Sequence, residues 1–384
     1  MGIALFNHAI SIIDTAFISP LGLNTEDNFQ ALLNEKSSIR KIDDPSFYSQ
    51  PILTSIFDDA FINQLKIELQ TETRFDTILL KCAESLKQKS TIDFQDKKTL
   101  FILSTTKGNV ELLDKNEYSE RLLLSFSAKK LQSYFNNPNE VIIVSNACIS
   151  GVSASIIAKR FLDYDDFNHV VVLGCDVVTK FVLSGFQSFK AISKNECKPF
   201  DKNRDGVVLG EASGAIIFSK KISSEIQFLG GSISNDANHI SGPSKTGEEL
   251  AFCINNALQN ANITHDKIDF VMAHGTATHY NDEMESKAIS LNKINNTPVV
   301  SIKGNYGHTL GASGIIEMIT AVECMKHGLI FPSYGFEEKG ISGDILVNSV
   351  HQKKEINYAL KTTSGFGGCN AAAVLAKSQS AIYY

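Results

Sequence analysis

The chain has little that would point to nucleic acid, membrane or metal. Its 36 basic side chains are outnumbered by 42 acidic ones, a net charge of −6, so no general nucleic-acid or membrane-surface partner is expected. No apolar run approaches the roughly 20 residues of a membrane span. The segment Met1 to Ile13 lacks a basic leader and carries Asn7 and His8, so it reads as a first strand, not a signal peptide. The seven cysteines (82, 148, 175, 197, 253, 324 and 369) are odd in number and show no C-x-x-C spacing, which argues against metal knuckles and disulfide frameworks. A reducing, cytoplasmic setting is the expectation. Low-complexity segments are missing and charged residues are 20% of the chain, so disorder is not expected either. What remains is 384 residues, 43% of them hydrophobic, enough for a large core or two fused ones.

The coarse pattern alternates strands and helices. After the first strand, Ser19-Pro20-Leu21-Gly22 makes a turn, and Asn24 to Asp27 caps a helix running through Leu33. Ser37 to Phe61, with prolines at 45 and 51, reads as loop. Helical periodicity covers 75–90 and Ser127 to Tyr134, around a short apolar strand Thr99 to Ser104. Val141 to Val144 and Val170 to Gly174 are fully apolar strands flanking a helix, the spacing of a parallel sheet covered on both faces. Strands at 212–218, 226–233, 270–273, 299–302, 356–363 and 371–377 follow, with helices at 250–261, 282–291 and 311–325.

The most informative stretch is Val141-Ile-Ile-Val-Ser-Asn-Ala-Cys148-Ile-Ser-Gly151. A β-branched run stops at small residues and a cysteine, then a helix begins. The thiol therefore sits at a helix N-terminus, where unpaired N–H groups and the dipole are expected to favour thiolate. A second stretch echoes it: Cys148-x-x-Gly151-x-Ser153-x-x-Ile156 matches His308-x-x-Gly311-x-Ser313-x-x-Ile316. Two similar halves, 1–220 and 221–384, would bring Cys148 and His308 to equivalent turns facing one cleft. His274 stands in His-Gly-Thr-Ala-Thr, and Lys303 lies five residues before His308. Cysteine with histidine also fits a protease. Two neutral imidazoles with a nearby lysine instead suit stabilisation of a developing enolate or carboxylate.

With these residues in place, the sequence resembles the β-ketoacyl-[acyl-carrier-protein] synthases, in the elongating Cys-His-His branch of the thiolase-like enzymes. The resemblance runs through Ser19-Pro-Leu-Gly-Leu-Asn with Ala31-Leu-Leu, Asn146-Ala-Cys148-Ile-Ser-Gly151, and Lys198-Pro-Phe-Asp201-Lys-Asn-Arg204-Asp-Gly206 with Gly210-Glu211. It continues through His274-Gly-Thr-Ala-Thr278 with Asp282 and Glu285, Lys303 to His308 with Gly311 and Glu317, and Gly365-Phe-Gly-Gly368 with Asn370. It implies an α/β fold of the duplicated, five-layer α-β-α-β-α kind. It also implies a decarboxylative Claisen condensation in fatty-acid or specialised, polyketide-like biosynthesis: Cys148 accepts the acyl chain, and His274 and His308 stabilise the enolate formed from malonyl carrier protein.

The resemblance further implies that the backbone N–H groups of Cys148 and Phe366 form an oxyanion hole, with Phe366 as gate. Lys303 would set the electrostatics of the site and pair with Glu285, and Asp282 and Glu317 would support it. Thr276 and Thr278 would bind the phosphopantetheine arm, or else cap a turn. Lys190 would dock an acidic carrier. No cofactor or metal would belong to the enzyme itself, since phosphopantetheine arrives on the acyl carrier protein. The protein would form a homodimer, or a heterodimer with a homologous chain-length factor.

Some positions depart from the family pattern. Lys107 stands where an apolar residue lines the acyl pocket, Ser364 replaces an aromatic residue before the gate, and Cys369 and Tyr306 replace threonines. With Phe186, these point to a pocket for a specialised chain, such as a polyene or pigment precursor. The competing reading is a chain-length-factor-like subunit, against which stand the retained Cys148, His274, His308 and Lys303. A degradative thiolase would want a second, acid–base cysteine in a different context from Cys369, and a chain-initiating synthase an asparagine at 308.

Overall fold

The computed structural model describes residues 9–45, 47–236 and 242–378. The elements that carry the argument are, in chain order, β1 (Ile10–Ile18), α1 (Thr25–Leu33), α2 (Arg74–Lys89), β2 (Thr99–Ser104), α3 (Leu124–Phe135), β3 (Ile142–Val144), α4 (Ser150–Asp163), β4 (His169–Asp176), α5 (Lys180–Ser188) and β5 (Ala212–Ser219). The second half of the chain supplies β6 (Ile226–Asn235), α6 (Glu248–Asn260), β7 (Phe270–Met272), α7 (His279–Leu291), β8 (Pro298–Val300), α8 (Ser313–His327), β9 (Leu346–Val347), β10 (Tyr358–Gly365) and β11 (Cys369–Lys377).

Eleven strands hydrogen-bond in the order β9-β8-β7-β10-β11-β6-β1-β5-β4-β2-β3. The order is a repeat. From β1 outward the sequence is first, fifth, fourth, second and third strand, with β4, β2 and β3 mutually parallel and β5 antiparallel to β1 and β4. From β6 outward it is the same once the extra edge strand β9 is set aside, with β11 antiparallel to β6 and β10, and β10, β7, β8 and β9 parallel. The two runs meet where β1 pairs antiparallel with β6 through Ile10 to Ile12. Strand alternation then builds the layers, because successive side chains of one strand face opposite ways. Phe101 and Leu103 of β2 pack with Phe75, Leu79, Leu131 and Phe135 of α2 and α3. Leu100 and Ile102 instead join a central core shared with Val152 and Ile156 of α4 and Ile315 and Ile319 of α8. On the far side, Val271, Leu360 and Val374 pack against Leu250, Ile254, Ala288 and Ile289 of α6 and α7. The result is helix, sheet, helix pair, sheet, helix: five layers.

The sequence reading places most elements within a few residues. β2 spans the residues expected, and Asn24 caps α1 through Asp27 N. β2 lies between β3 and β4, so those two flanking strands are parallel to one another but not neighbours. The segment read as loop after Ser37 is more ordered than expected. It contains strands Arg40–Ile42 and Ile52–Ser55, joined to Leu209–Gly210, and a helix Asp59–Glu68 capped by Asp58. Helix α5, capped by Thr179, was also not anticipated; only Val182 and Leu183 of it are buried, which leaves a weak apolar period. Residues Met1 to His8 of the expected first strand lie outside the described residues. No helix among the described residues is long and apolar enough to cross a membrane.

Candidate active site

Cys148 follows β3 and His308 follows β8, equivalent strands of the repeat, and each precedes a helix of the central pair. His274 follows β7. The parallel strands thus deliver all three side chains to one end of the sheets. The turn before Cys148 is tight: Ala147 has φ +45°, a left-handed value that costs a non-glycine residue about 1 kcal/mol or more. It is held by Ser150, whose Oγ accepts from Asn146 N at 2.8 Å and donates to the carbonyl of Ala147 at 2.6 Å. Gly365 closes over this turn. A Cβ there would lie 3.0 Å from Cys148 N and 3.1 Å from Ala147 Cβ, so the chain leading to Phe366 passes beside the Cys148 backbone only because position 365 has no side chain.

The Cys148 thiol is buried and lies 3.0 Å from His308 Nε2. His308 Nδ1 accepts the backbone N–H of Leu310 at 3.2 Å and sits 2.8 Å from Ser313 Oγ. An imidazole that accepts at Nδ1 carries its proton at Nε2. His308 therefore presents an N–H to Cys148. The same logic holds for His274, whose Nδ1 lies 3.2 Å from Lys303 Nζ and 3.2 Å from Thr363 Oγ1. Its Nε2–H is left for the cleft. The two rings are edge-to-face with centroids 5.1 Å apart. Burial drives both well below the usual histidine range, helped by the positive charges of Lys303 and Lys361 and, for His274, by His308. Both are neutral donors at pH 7.

The thiol itself does not follow the expectation drawn from its helix N-terminus. Burial pushes Cys148 up to about 12, reinforced by Cys369 and Asp176 and opposed by Lys303 and Lys107. Burial is the largest influence, because Cys148 is enclosed at the foot of the cleft; it also precedes α4 by two residues and so lies outside its first turn.

The expected pairing of Lys303 with Glu285 is also corrected. Lys303 Nζ, fully buried, bonds to Glu317 of α8, to the carbonyl of His274 and to His274 Nδ1. Glu285 spends its oxygens on the backbone N–H groups of His274 (2.7 Å) and Gly275 (2.8 Å) and on Thr362 Oγ1 (2.6 Å). It fixes the turn that carries His274 instead of the lysine. Asp282 does likewise one turn earlier on α7, accepting from Phe200 N and Thr276 N, and burial raises it to about 6. A residue not singled out from the sequence joins the cluster. Lys361 of β10 is fully buried, with its ammonium 2.8 Å from the second oxygen of Glu317.

Cys148, His274 and His308 floor a cleft of about 280 Å³. Thr276 and Thr278 line it with their hydroxyls 2.9 Å apart, and Thr278 also caps α7 through Asn281 N. Phe186, Phe366 and Phe189 form its aromatic mouth, with Phe366 centred 5.3 Å from each of the other two rings. Ser364 lines it and donates to Asn370 at 2.7 Å. Lys190 is exposed at the rim. Lys107 is exposed and outside this lining; its backbone N–H bonds to buried Asp176. Cys148 Sγ and one ring nitrogen from each histidine lie within 4.8 Å of one another, a spacing open to a metal ion. The Lys303 ammonium against His274 and Lys361 behind it place positive charge beside these donors, which opposes a cation there.

Comparison with known proteins agrees with this geometry. Residues 104–222 match the family described as Beta-ketoacyl synthase, N-terminal domain, and residues 226–337 match Beta-ketoacyl synthase, C-terminal domain. The chain is 26% identical over 413 aligned positions to 3-oxoacyl-[acyl-carrier-protein] synthase 2 of Coxiella burnetii, covering 96% of this chain and 98% of that one. It is 32% identical over 256 positions to the tetracenomycin polyketide synthase ketoacyl synthase alpha subunit of Streptomyces glaucescens, covering 62% and 60%. A ketosynthase solved with its chain length factor, from Xenorhabdus doucetiae, superposes with a TM-score of 0.86 at 23% identity over 98% of this chain and 100% of that one. The chain belongs to the β-ketoacyl synthase family, with the thiolase-like fold.

Proposed function

We propose that the protein catalyses decarboxylative condensation of malonyl-[acyl carrier protein] with an acyl chain held on Cys148, giving a β-ketoacyl chain two carbons longer. The observation that carries this reading is the cleft floor: a thiol and two neutral imidazoles, with His308 Nε2–H turned to the sulfur and His274 Nε2–H without an acceptor among the described residues.

In the first half-reaction Cys148 Sγ attacks an acyl-phosphopantetheine thioester. The oxyanion is received by the N–H groups of Cys148 and Phe366, and the carrier thiol leaves with the proton that Cys148 gives up. His308 Nε2–H and the N-terminus of α4 stabilise the sulfur as it acquires charge. In the second, malonyl thioester loses carbon dioxide. The enolate oxygen accepts from His274 and His308, and the carbanion attacks the acyl carbonyl and expels Cys148 thiolate. Each donor aimed at the enolate contributes on the order of 10²–10³ in rate. Thr276 and Thr278 hold the phosphopantetheine arm, which the carrier supplies. Phe366, between Gly365 and Gly367, moves to admit it, and Lys190 meets the acidic carrier. Glu285, Asp282, Glu317 and Lys303 position the two histidines.

The chain divides functionally into halves 1–220, with the nucleophile, and 221–384, with both histidines, a division supported by the repeated strand order. It works in the cytoplasm as a homodimer or beside a homologous chain-length factor. Ser364 and Phe186, which both line the cleft, select a specialised acyl chain, and Lys107 contributes to its pocket across a subunit contact.

The test is turnover of purified protein with malonyl carrier protein and a panel of acyl carriers, with Cys148→Ala as control. A β-ketoacyl product that depends on Cys148 is expected. No condensation with any acyl carrier, together with no cerulenin adduct at Cys148, would overturn the assignment in favour of a chain-length-factor-like subunit.

A further inference from the structure

Lys361 is a buried charge near the site that the mechanism above leaves without a task. Taking an ammonium out of water costs several kcal/mol unless its surroundings repay it. Its strand neighbours Ala359 and Leu360 are core residues, so an apolar side chain would suit the position. The lysine is instead paired. Its ammonium forms an ion pair with Glu317 Oε2 at 2.8 Å and donates hydrogen bonds to the carbonyls of Met272 (3.3 Å) and Thr362. It does not line the cleft and touches neither histidine ring.

What it does touch is the carboxylate that Lys303 uses. Glu317 gives one oxygen to each ammonium. Two positive charges share one negative charge, so the trio carries a net +1 beneath the two imidazoles. With Lys361 occupying one oxygen, Lys303 meets Glu317 through the other alone, and its remaining donors stay on His274 O and His274 Nδ1.

We propose that Lys361 is a positioning residue of the condensing site. By claiming half of Glu317, it holds Lys303 on His274 Nδ1, keeps His274 an Nε2–H donor, and leaves more positive charge than Glu317 alone neutralises behind the imidazoles that receive the enolate. This rests on the condensing function proposed above. The groups facing the two imidazoles are Lys303 and Glu317 below, Lys361 behind them, Glu285 at the His274 backbone, and the Cys148 thiol with Cys369 and Asp176 beyond it. Of these, both lysines act to hold the imidazoles neutral. Removing Lys361 therefore lets His274 and His308 protonate at higher pH, and the acid limb of the rate moves toward neutral pH.

The experiment compares wild type, Lys361→Gln and the double variant Lys361→Gln/Glu317→Gln, with rates normalised to the folded fraction read from near-UV circular dichroism and cooperative thermal unfolding. Glutamine keeps an N–H donor for Met272 and Thr362 while removing the charge. For Lys361→Gln, kcat for malonyl decarboxylation is expected to fall about tenfold or more with KM within about twofold, and the acid limb to move up. The double variant restores the net +1 and is expected to restore the wild-type limb. A folded Lys361→Gln enzyme with wild-type kcat and limb overturns the proposal, as does a change confined to melting temperature. Where Lys361→Gln yields no folded sites, the double variant decides: a wild-type limb supports the charge argument and a limb moved toward neutral pH refutes it. An inactive wild type would instead sink the condensing function itself.

Discussion

Replacing Glu317 by leucine tests the buried charge cluster through stability. Glu317, Lys303 and Lys361 are each at most 1% exposed. Leucine roughly conserves volume, so the change is mainly the loss of the one carboxylate that both ammoniums share. Breaking a buried pair while leaving its partner behind costs about 3–5 kcal/mol. Unfolding entropy is about 2.1 cal/mol/K per residue; over 384 residues this gives roughly 0.8 kcal/mol/K, so a loss of about 4 kcal/mol lowers Tm by about 5 °C. A second signature is its pH dependence. Burial already lowers Lys361, and Glu317 is the first influence that holds it up. Without Glu317 its folded pKa falls further below the unfolded value near 10.4. The unfolded chain then binds more protons than the folded one between those two values, so the variant gains stability as pH rises through that window. Calorimetry at pH 7 and pH 9.5 should show a deficit against wild type that narrows at the higher pH. A deficit under about 1 kcal/mol at pH 7, or one equal at both pH values, would refute the reasoning.

Other outcomes follow from the same geometry. His274→Ala should cut malonyl decarboxylation by about 10²–10³ while acyl transfer to Cys148, read by mass spectrometry, persists; loss of both steps together would contradict the division of labour. Because burial holds Cys148 up to about 12, its alkylation by iodoacetamide should quicken about tenfold per pH unit between pH 7 and 9, and a plateau below pH 8 would show that the helix N-terminus outweighs burial after all. Gly314→Ala places a Cβ 2.8 Å from Val152 N, where α8 meets α4; overpacking costs about 1–3 kcal/mol, and an unchanged Tm would mean that the helix pair can separate freely.

The residues at strand ends were the legible part of this site. Cys148, His274 and His308 each follow a short apolar run and precede small or turn-forming residues, and that local pattern survives into the fold because parallel strands end together. The echo between 148–156 and 308–316 likewise corresponds to equivalent positions in the repeated strand order. What the sequence hid was pairing. Glu285 and Glu317 are both acidic helix residues near a motif, and nothing local says which reaches Lys303. Only the turn after His274 decides it, because its two N–H groups consume Glu285. Thiol acidity is hidden for a related reason: a helix start is visible in sequence, whereas the depth of enclosure is not. Lys361 did leave a trace. A lysine inside the run Tyr358-Ala-Leu-Lys-Thr-Thr breaks a buried strand pattern, and such a break marks either an edge position or a buried partner. Helix α5 left less, since most of its residues face outward.

The hydrogen bond from His308 to Cys148 also orders the two half-reactions. At rest His308 Nε2–H points at Sγ from 3.0 Å, so one of the two donors meant for the enolate is already engaged. Acylation turns the sulfur into a thioester, a poor acceptor, and frees that N–H for the malonyl oxygen. Decarboxylation should therefore be slow while Cys148 is a free thiol and faster once the sulfur is capped, even by a group that cannot be condensed. Enzyme carbamidomethylated at Cys148 is expected to release carbon dioxide from malonyl carrier protein faster than unmodified enzyme given no acyl donor, and to form no β-ketoacyl product. His308→Ala should abolish the difference, since it removes the donor being released. Equal or slower release from the capped enzyme would mean that His308 does not pass from the sulfur to the enolate, and that His274 alone governs the decarboxylating step.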